Sequence, residues 1–448
     1  MNHWDDTIIA LATPAGIGAL AVLRISGPKA FEVIQAISPK SKIFDRPSHQ
    51  AFVAMIYNQD QQIDEALLIK FSGPKSFTGE DVVEISLHGS QYIVQEVIKV
   101  CLTAGCRLAE PGEFTQRAFL NRKMDLAQAE AVADLIASES EAAHRTALHQ
   151  LKGGLSKEIH ALRQDLIDFT ALIELELDFG EEDVEFADRT QLKNLVLGIM
   201  AHLKTLINSF STGQAIRNGI PVVIVGPPNA GKSTLLNALL QEEKAIVSHI
   251  AGTTRDVIED ILILNGITFR FVDTAGLRKT EDFVESIGIS KTREQLDKAA
   301  FALLLQAPDS LENEVESIEA EIKERALPYL KIKTKADLIE SKNEIDFLLS
   351  AVSGQGLEEL KTEIVKRSID RQMLQAETAL ITNLRHFHAL TLTLASLEQV
   401  ETAIEAGLTG DLLATDIREA LFHLGSITGE ITVEDVLGSI FSKFCIGK

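Results

Sequence analysis

Cysteine is scarce, with three residues, Cys101, Cys106 and Cys445, in a chain of 448. Three thiols cannot build a disulfide framework, which fits a reducing cytoplasm. Cys101 and Cys106 lack the second ligand pair of a structural metal site and read as buried thiols. Long hydrophobic runs are missing too. None approaches the ~18 residues of a membrane span. The N-terminus MNHWDDTIIALATP has no basic segment ahead of its apolar stretch, so no signal peptide is expected. Positive charge is short: 43 Lys and Arg stand against 65 Asp and Glu, a net charge of −22. That balance argues against a protein that coats nucleic acid non-specifically. It leaves RNA open as a substrate held by a local basic patch or a basic partner. What remains is ordinary for a globular protein, 45% hydrophobic and 24% charged, long enough for two to four domains.

The most informative stretch is PVVIVGPPNAGKSTLLNALL, Pro221 to Leu240. Its pattern predicts a strand over Val222 to Val225, a Gly-rich turn, and a helix from Ser233. Gly226, Gly231, Lys232 and Ser233 satisfy G-x-x-x-x-G-K-[ST]. Glycines let backbone N–H groups turn inward on a phosphate without Cβ clashes. Lys232 supplies a compact charge for the β- and γ-phosphates, and Ser233 a hydroxyl for Mg²⁺. The following helix N-terminus adds positive potential.

Around this motif the chain reads as alternating classes. Residues 1–120 are mixed α and β: apolar runs at Thr7 to Ala12 and Ala19 to Ile25, then AFVAMIY and EALLIKF around NQDQQ. The turn SGPKSFTGED leads into VVEISLHG and a helix from Gln91 to Ala104. From Asn121 to residue 215 the pattern is helical, with Gly153-Gly154 as the evident break and a further helix from Thr190 to Ser209. Residues 216–371 hold the phosphate loop, and helical spacing returns over 372–448. The fold class expected is multidomain: an α+β N-terminal domain, a discontinuous helical domain, and an inserted Ras-like P-loop domain.

The base must be read downstream of the loop. AGTTRD offers Thr253 and Thr254, one of which completes a Mg²⁺ shell in a switch loop. The hairpin DILILNGITFRFVDTAG ends in Asp273-Thr274-Ala275-Gly276, a D-x-x-G that sets a carboxylate near Mg²⁺ and an amide at the γ-phosphate. Thr334-Lys335-Ala336-Asp337 follows at a strand end. Asp337 accepts both hydrogen bonds that the guanine edge donates, the Lys335 stem covers the ring, and Ser350 and Ala351 offer a backbone contact. This ordered set identifies a GTPase. Thr334 stands where Asn is usual; it keeps a hydroxyl but loses the amide, which predicts weaker GTP binding. Leu277 occupies the place where many GTPases carry a water-positioning Gln, so the attack must be organised otherwise. Glu285 is a carboxylate close in sequence, with a solvated helix residue as the competing reading. Asn229 offers an oxygen to a monovalent cation that would stand in for an arginine finger.

From end to end the chain resembles the MnmE (TrmE) family of tRNA-modification GTPases. The resemblance is carried by ATPAGIGALAVLRISG, SFTGEDVVEISLHG, RLAEPGEFTQRAFLNRKMDLAQAEAVADLI, GPPNAGKSTLLNAL, IAGTTRD, DTAGLRKTEDFVESIGI and FCIGK. It implies a folate-binding N-terminal domain that dimerises. It also implies an FAD-containing partner of the MnmG type, joined in a heterotetramer. The implied reaction adds an aminomethyl-type (carboxymethylaminomethyl) group at carbon five of the wobble uridine in certain tRNAs. A tetrahydrofolate derivative, in its 5-formyl or methylene form, is the one-carbon donor, and K⁺ and Mg²⁺ support GTP hydrolysis. The location implied is cytoplasmic, without a membrane.

By position, the resemblance carries over K⁺ ligands Asn229, Ser248, Ile250 and Thr253, and Mg²⁺ ligands Ser233 and Thr254. It makes Glu285 the water-orienting glutamate. Its GTP site takes in Asn229, Ala230, Gly231, Lys232, Ser233 and Thr234. It continues through Ser248, His249, Ile250, Ala251, Gly252, Thr253 and Thr254, then Asp273 to Gly276 and the Thr334 and Ser350 stretches. Its folate positions are Arg24, Glu84, Lys123 and Lys448. Cys445 mimics a prenylation site, but Gly447 and Lys448 fit that motif poorly; a catalytic thiol and a structural tail residue stay open. Two rival functions are a ribosome-assembly GTPase and a regulatory switch. The first should bring a second GTPase domain or an RNA-binding module, and the second leaves residues 1–120 unexplained.

Overall fold

The computed structural model describes residues 6–178, 189–242, 260–271, 293–294, 296–338, 347–368, 379–408, 410–431, 434–442, 444 and 446–447. The chain divides into two compact units. One comprises Met1–Ile136, His149–Val196 and Ala395–Lys448, the other Ala137–Leu148 and Leu197–Leu394. Among the described residues no helix is long and apolar enough to cross a membrane.

The first unit contains a six-stranded sheet built from β1 (Thr7–Leu11), β2 (Leu20–Ser26), β3 (Ala51–Asn58), β4 (Gln61–Phe71), β5 (Val82–His88) and β6 (Cys106–Leu108). Their order is β3-β4-β5-β2-β1-β6, antiparallel except for the β1–β6 pair. Alternation sorts the two faces. Ile9, Leu23, Ile25, Val83, Ile85 and Leu87 pack with helices Ala30–Ile37 and Gln91–Thr103. The opposite face carries Ile8 and Ala10 under Phe114 and Phe77, and there Arg24 lies directly across from Glu84. Cys101 and Cys106 are buried free thiols in the first core; burial pushes the Cys101 pKa well up and that of Cys106 to about 12.

The helical stretch after Asn121 has more breaks than the Gly153-Gly154 pair. It resolves into Leu126–Ala137, Glu141–Leu151 and Gly154–Asp178. The extra break falls at Ser138 to Ser140, where the Ser140 hydroxyl accepts the Ala143 N–H and caps the next helix. Two other expectations need correction. A helix, Phe210–Asn218, follows Arg189–Asn208 directly. Residues 379–383 are not helical: Ser209 Oγ accepts the Ile381 N–H, and Asn383 Oδ1 accepts that of Arg385, so the helix begins at Leu384. The helices Leu384–Glu405, Gly410–Thr428 and Glu434–Phe441 complete the chain. Leu437, Phe441 and Phe444 pack on Leu126 and Ala129.

The second unit holds β7 (Ile220–Val225), β8 (Asp260–Leu264), β9 (Ile267–Phe271), β10 (Phe301–Gln306), β11 (Tyr329–Lys333) and β12 (Phe347–Leu348). The order is β12-β11-β10-β7-β9-β8, parallel except for the β8–β9 hairpin. Asn265 and Gly266, both at positive φ, make the two-residue turn that suits a right-twisted hairpin. β7 and β10 are nearly continuous apolar runs, as expected of strands covered on both faces. In such a sheet ligands gather outside the carboxyl ends of the strands, where β7, β10 and β11 all finish on one edge.

Candidate nucleotide and folate sites

At the end of β7 the backbone turns through Gly226 (φ 155°) into the loop. A Cβ on Gly226 would stand 2.6 Å from the Leu305 carbonyl oxygen, so no other residue fits there. Asn229 adopts φ 60° and Gly231 φ 90°, left-handed conformations that curl the loop before the helix Lys232–Glu242. The Lys232 ammonium donates to the Gly226 and Pro227 carbonyls, both at 2.7 Å, and burial lowers its pKa. It is thus folded over its own loop, at the place a phosphate oxygen would compete for. Asn229, Ser233 and Thr234 are exposed at the loop and the first helical turn. An amide oxygen and a hydroxyl there suit hard cations, which take oxygen ligands.

The stretch Thr334 to Asp337, expected from the sequence to read the base, sits beside this loop. Thr334, at the end of β11, is 4% exposed. Its hydroxyl donates to the Ala230 carbonyl at 2.8 Å, tying the two loops together. Lys335, at φ 55°, pairs with Asp309 at 3.0 Å, and that contact lowers the Asp309 pKa. Asp337 is exposed, and one of its oxygens accepts the Ser350 hydroxyl at 2.6 Å, which holds its pKa below the ordinary aspartate value. Ser350 is 1% exposed and pinned by the backbone bridge to Gln355, so the carboxylate is oriented from beneath. Ala336 donates to the Leu349 carbonyl, which brings Ala351 alongside.

In the first unit Arg24 and Glu84 form an ion pair of 2.8 Å across β2 and β5, half-buried, with the Phe77 ring 5.3 Å and the Phe114 ring 5.8 Å from the guanidinium carbon. Lys123 donates to the Pro74 carbonyl at 2.9 Å. Phe77 and Pro74 belong to one loop, Ser72 to Asp81. The tail returns to this sheet: a Cβ on Gly447 would meet Ala12 Cα at 3.0 Å. Glu285, Cys445, Lys448, Ser248 to Thr254 and Asp273 to Gly276 lie outside the described residues.

One cluster went unseen in the sequence. Arg117, 1% exposed, is ringed by Asp6, Glu80 and Glu113, and Arg107 pairs with Asp6 and Glu113. Burial alone would raise the carboxyl pKa values of Asp6 and Glu113, but the guanidinium contacts outweigh it and hold both low. The available signal was Glu113 and Arg117 at helical i, i+4 spacing between Phe114 and Ala118.

Comparison with known proteins matches two family models to this chain. The model of the GTP-binding protein TrmE N-terminus matches residues 7–123, and that of the MnmE helical domain matches residues 126–445. A tRNA modification GTPase MnmE from Cytophaga hutchinsonii is 51% identical over 455 residues, covering 100% of this chain and 98% of its own. The chain belongs to the MnmE family. Another member, from Christiangramia forsetii, is 48% identical, covering 99% of both chains. Among solved structures, the G domain of the T. maritima FeoB iron transporter aligns with 34% of this chain and 99% of its own at 23% identity. Its TM-score, 0.25, is too low to carry a fold argument. The described parts of the chain supply a phosphate-loop motif, the Thr334 to Asp337 stretch tied to it, and a sheet face bearing Arg24 and Glu84.

Proposed function

We propose that this chain is a K⁺-stimulated GTP hydrolase that works with an FAD-containing MnmG-type partner. Together they install a carboxymethylaminomethyl-type group on carbon five of the wobble uridine of certain tRNAs. The observation that carries the reading is the junction of the phosphate loop with Thr334 and Asp337, in a chain 51% identical to a tRNA modification GTPase MnmE along its whole length.

In this reading Lys232 leaves its own carbonyls for the β- and γ-phosphates, and Asp337, steadied by Ser350, accepts the guanine N–H groups. Ser233 and Thr254 are the Mg²⁺ ligands, and Asn229 with the carbonyls of Ser248, Ile250 and Thr253 the K⁺ ligands. These cations supply positive charge where negative charge grows in the transition state. Glu285 orients the attacking water. Arg24, Lys123 and Lys448 supply cations for folate carboxylates and Glu84 an acceptor for the pterin amino edge. Phe77 adds an aromatic surface beside them. The active assembly is a homodimer joined to its partner in a heterotetramer, in the cytoplasm.

The test is nucleotide hydrolysis by the full chain. GTP should be hydrolysed and ATP not, and 5-formyl-tetrahydrofolate should bind the same protein. Hydrolysis of ATP at the rate of GTP would overturn the base assignment.

A further inference from the structure

We propose that Arg117 and Glu80 position the folate-binding face: they lock the loop Ser72 to Asp81, which in turn holds Arg24 and Lys123. The inference rests on the folate reading above for its ligand, and on the geometry for its mechanism.

Each N–H group of Arg117 has an acceptor. Nε donates to Glu113 (3.2 Å), Nη2 to Asp6 (2.6 Å) and Glu113 (2.8 Å), and Nη1 to the Asp6 carbonyl (2.9 Å) and Glu80 (3.1 Å). Glu80 is the one member of this ring that belongs to the loop. Its other oxygen accepts the Ser26 hydroxyl at 2.6 Å, and Ser26 Oγ in turn accepts the Thr78 hydroxyl at 2.7 Å. Ser26 stands two residues from Arg24 on β2, so both point to the same face of the sheet. Within the loop, Ser76 donates to the Glu80 carbonyl, Gly73 donates to Asp81, and Asn121 donates to the Thr78 carbonyl at 2.7 Å.

Glu80 is thus the clasp between a buried cation and a short surface loop. That loop places the Phe77 ring against Arg24 and the Pro74 carbonyl against Lys123. A buried charge cluster is a poor device for stability alone, because desolvation offsets much of the attraction. What it does provide is fixed geometry, with five directed donors on a planar fork. A loop held in its binding conformation spares the ligand the cost of ordering it.

The experiment uses the full-length protein, calorimetric titration with 5-formyl-tetrahydrofolate, and hydrogen exchange read peptide by peptide. Glu80→Ala, which removes the acceptor of both Arg117 and Ser26, should weaken binding by about tenfold. It should also accelerate exchange within residues 72–81 while β2 and β5 stay protected. A merely structural role would instead speed exchange throughout the sheet. Glu80→Gln, which keeps an acceptor for Arg117, should recover most of the affinity. Phe77→Leu should lose affinity with loop exchange unchanged. GTP hydrolysis should be the same in both Glu80 variants. Wild-type affinity in Glu80→Ala, or unaltered loop exchange, overturns the proposal. Failure of the wild type to bind the folate overturns the folate reading, and loop exchange in Glu80→Ala then still decides the clasp.

Discussion

Replacing Thr334 by Val asks what the threonine contributes where an asparagine is usual. Val has nearly the shape of Thr, so the change opens no cavity, but it removes the hydroxyl that donates to Ala230 at 2.8 Å. Thr334 is 4% exposed and Ala230 fully buried, so water does not readily replace the lost donor. Leaving a buried carbonyl without that partner costs about 1–3 kcal/mol. The bond joins the Thr334 to Asp337 stretch to the phosphate loop, and in the proposed reading a nucleotide engages both at once. If half of that cost, about 0.5–1.5 kcal/mol, falls on binding, GTP affinity drops by about two- to tenfold, since ~1.4 kcal/mol is a factor of ten. Displacement of a fluorescent GTP analogue measures the affinity, and urea unfolding measures the stability. Thr334→Ser, which restores the hydroxyl, should return affinity to within about threefold of wild type. Thr334→Asn should gain little, because the hydroxyl already makes the tie, and the weaker binding expected from the missing amide should accordingly be small. Wild-type affinity and an unchanged urea midpoint in Thr334→Val would refute the reasoning.

Asp337→Asn should weaken GTP binding and relax selection against XTP, because an amide presents a donor where the carboxylate accepted; competition assays with the two nucleotides check it. GTP hydrolysis should run faster in KCl than in NaCl at equal ionic strength, and Asn229→Ala should erase the difference while nucleotide binding persists. Equal wild-type rates in the two salts would remove the cation from the mechanism. Glu319 accepts from Lys323, Lys331 and Tyr329, which hold its pKa down to about 2 from 4.5. Its folded pKa is the lower one, so its stabilisation is present above pH 4.5 and fades as pH falls toward 2. Glu319→Gln should therefore lower the urea midpoint at neutral pH, and the gap from wild type should narrow below pH 4.5.

The phosphate loop was legible in the sequence because its chemistry fixes residue types at fixed spacing. Gly226 cannot be replaced against Leu305, and Lys232 must open the helix. Most strands were legible for a similar reason, since alternation or unbroken apolar character follows from which faces are covered, but β6 and β10 were not read from the sequence. The ties between loops were not. Thr334 reaches Ala230 across 104 residues, and Arg117 reaches Asp6 across 111, separations at which no local pattern survives. Arg24 and Glu84 were legible singly, through the family resemblance, but their pairing depends on the register of β2 against β5. The breaks at Ser138 to Ser140 and before Leu384 were hidden for another reason. Both are set by side-chain caps and, before Leu384, by a distant acceptor, within a composition that favours helix throughout.

The central claim is best met by the reaction itself. The purified chain is incubated with its FAD-containing partner, unmodified tRNA, GTP, KCl and a methylene- or formyl-tetrahydrofolate, and the tRNA nucleosides are resolved by mass spectrometry. Wild-type protein should yield a wobble uridine substituted at carbon five, and Lys232→Ala should yield none. Unmodified uridine with the wild-type protein and an active partner, or full modification by Lys232→Ala, would contradict the account.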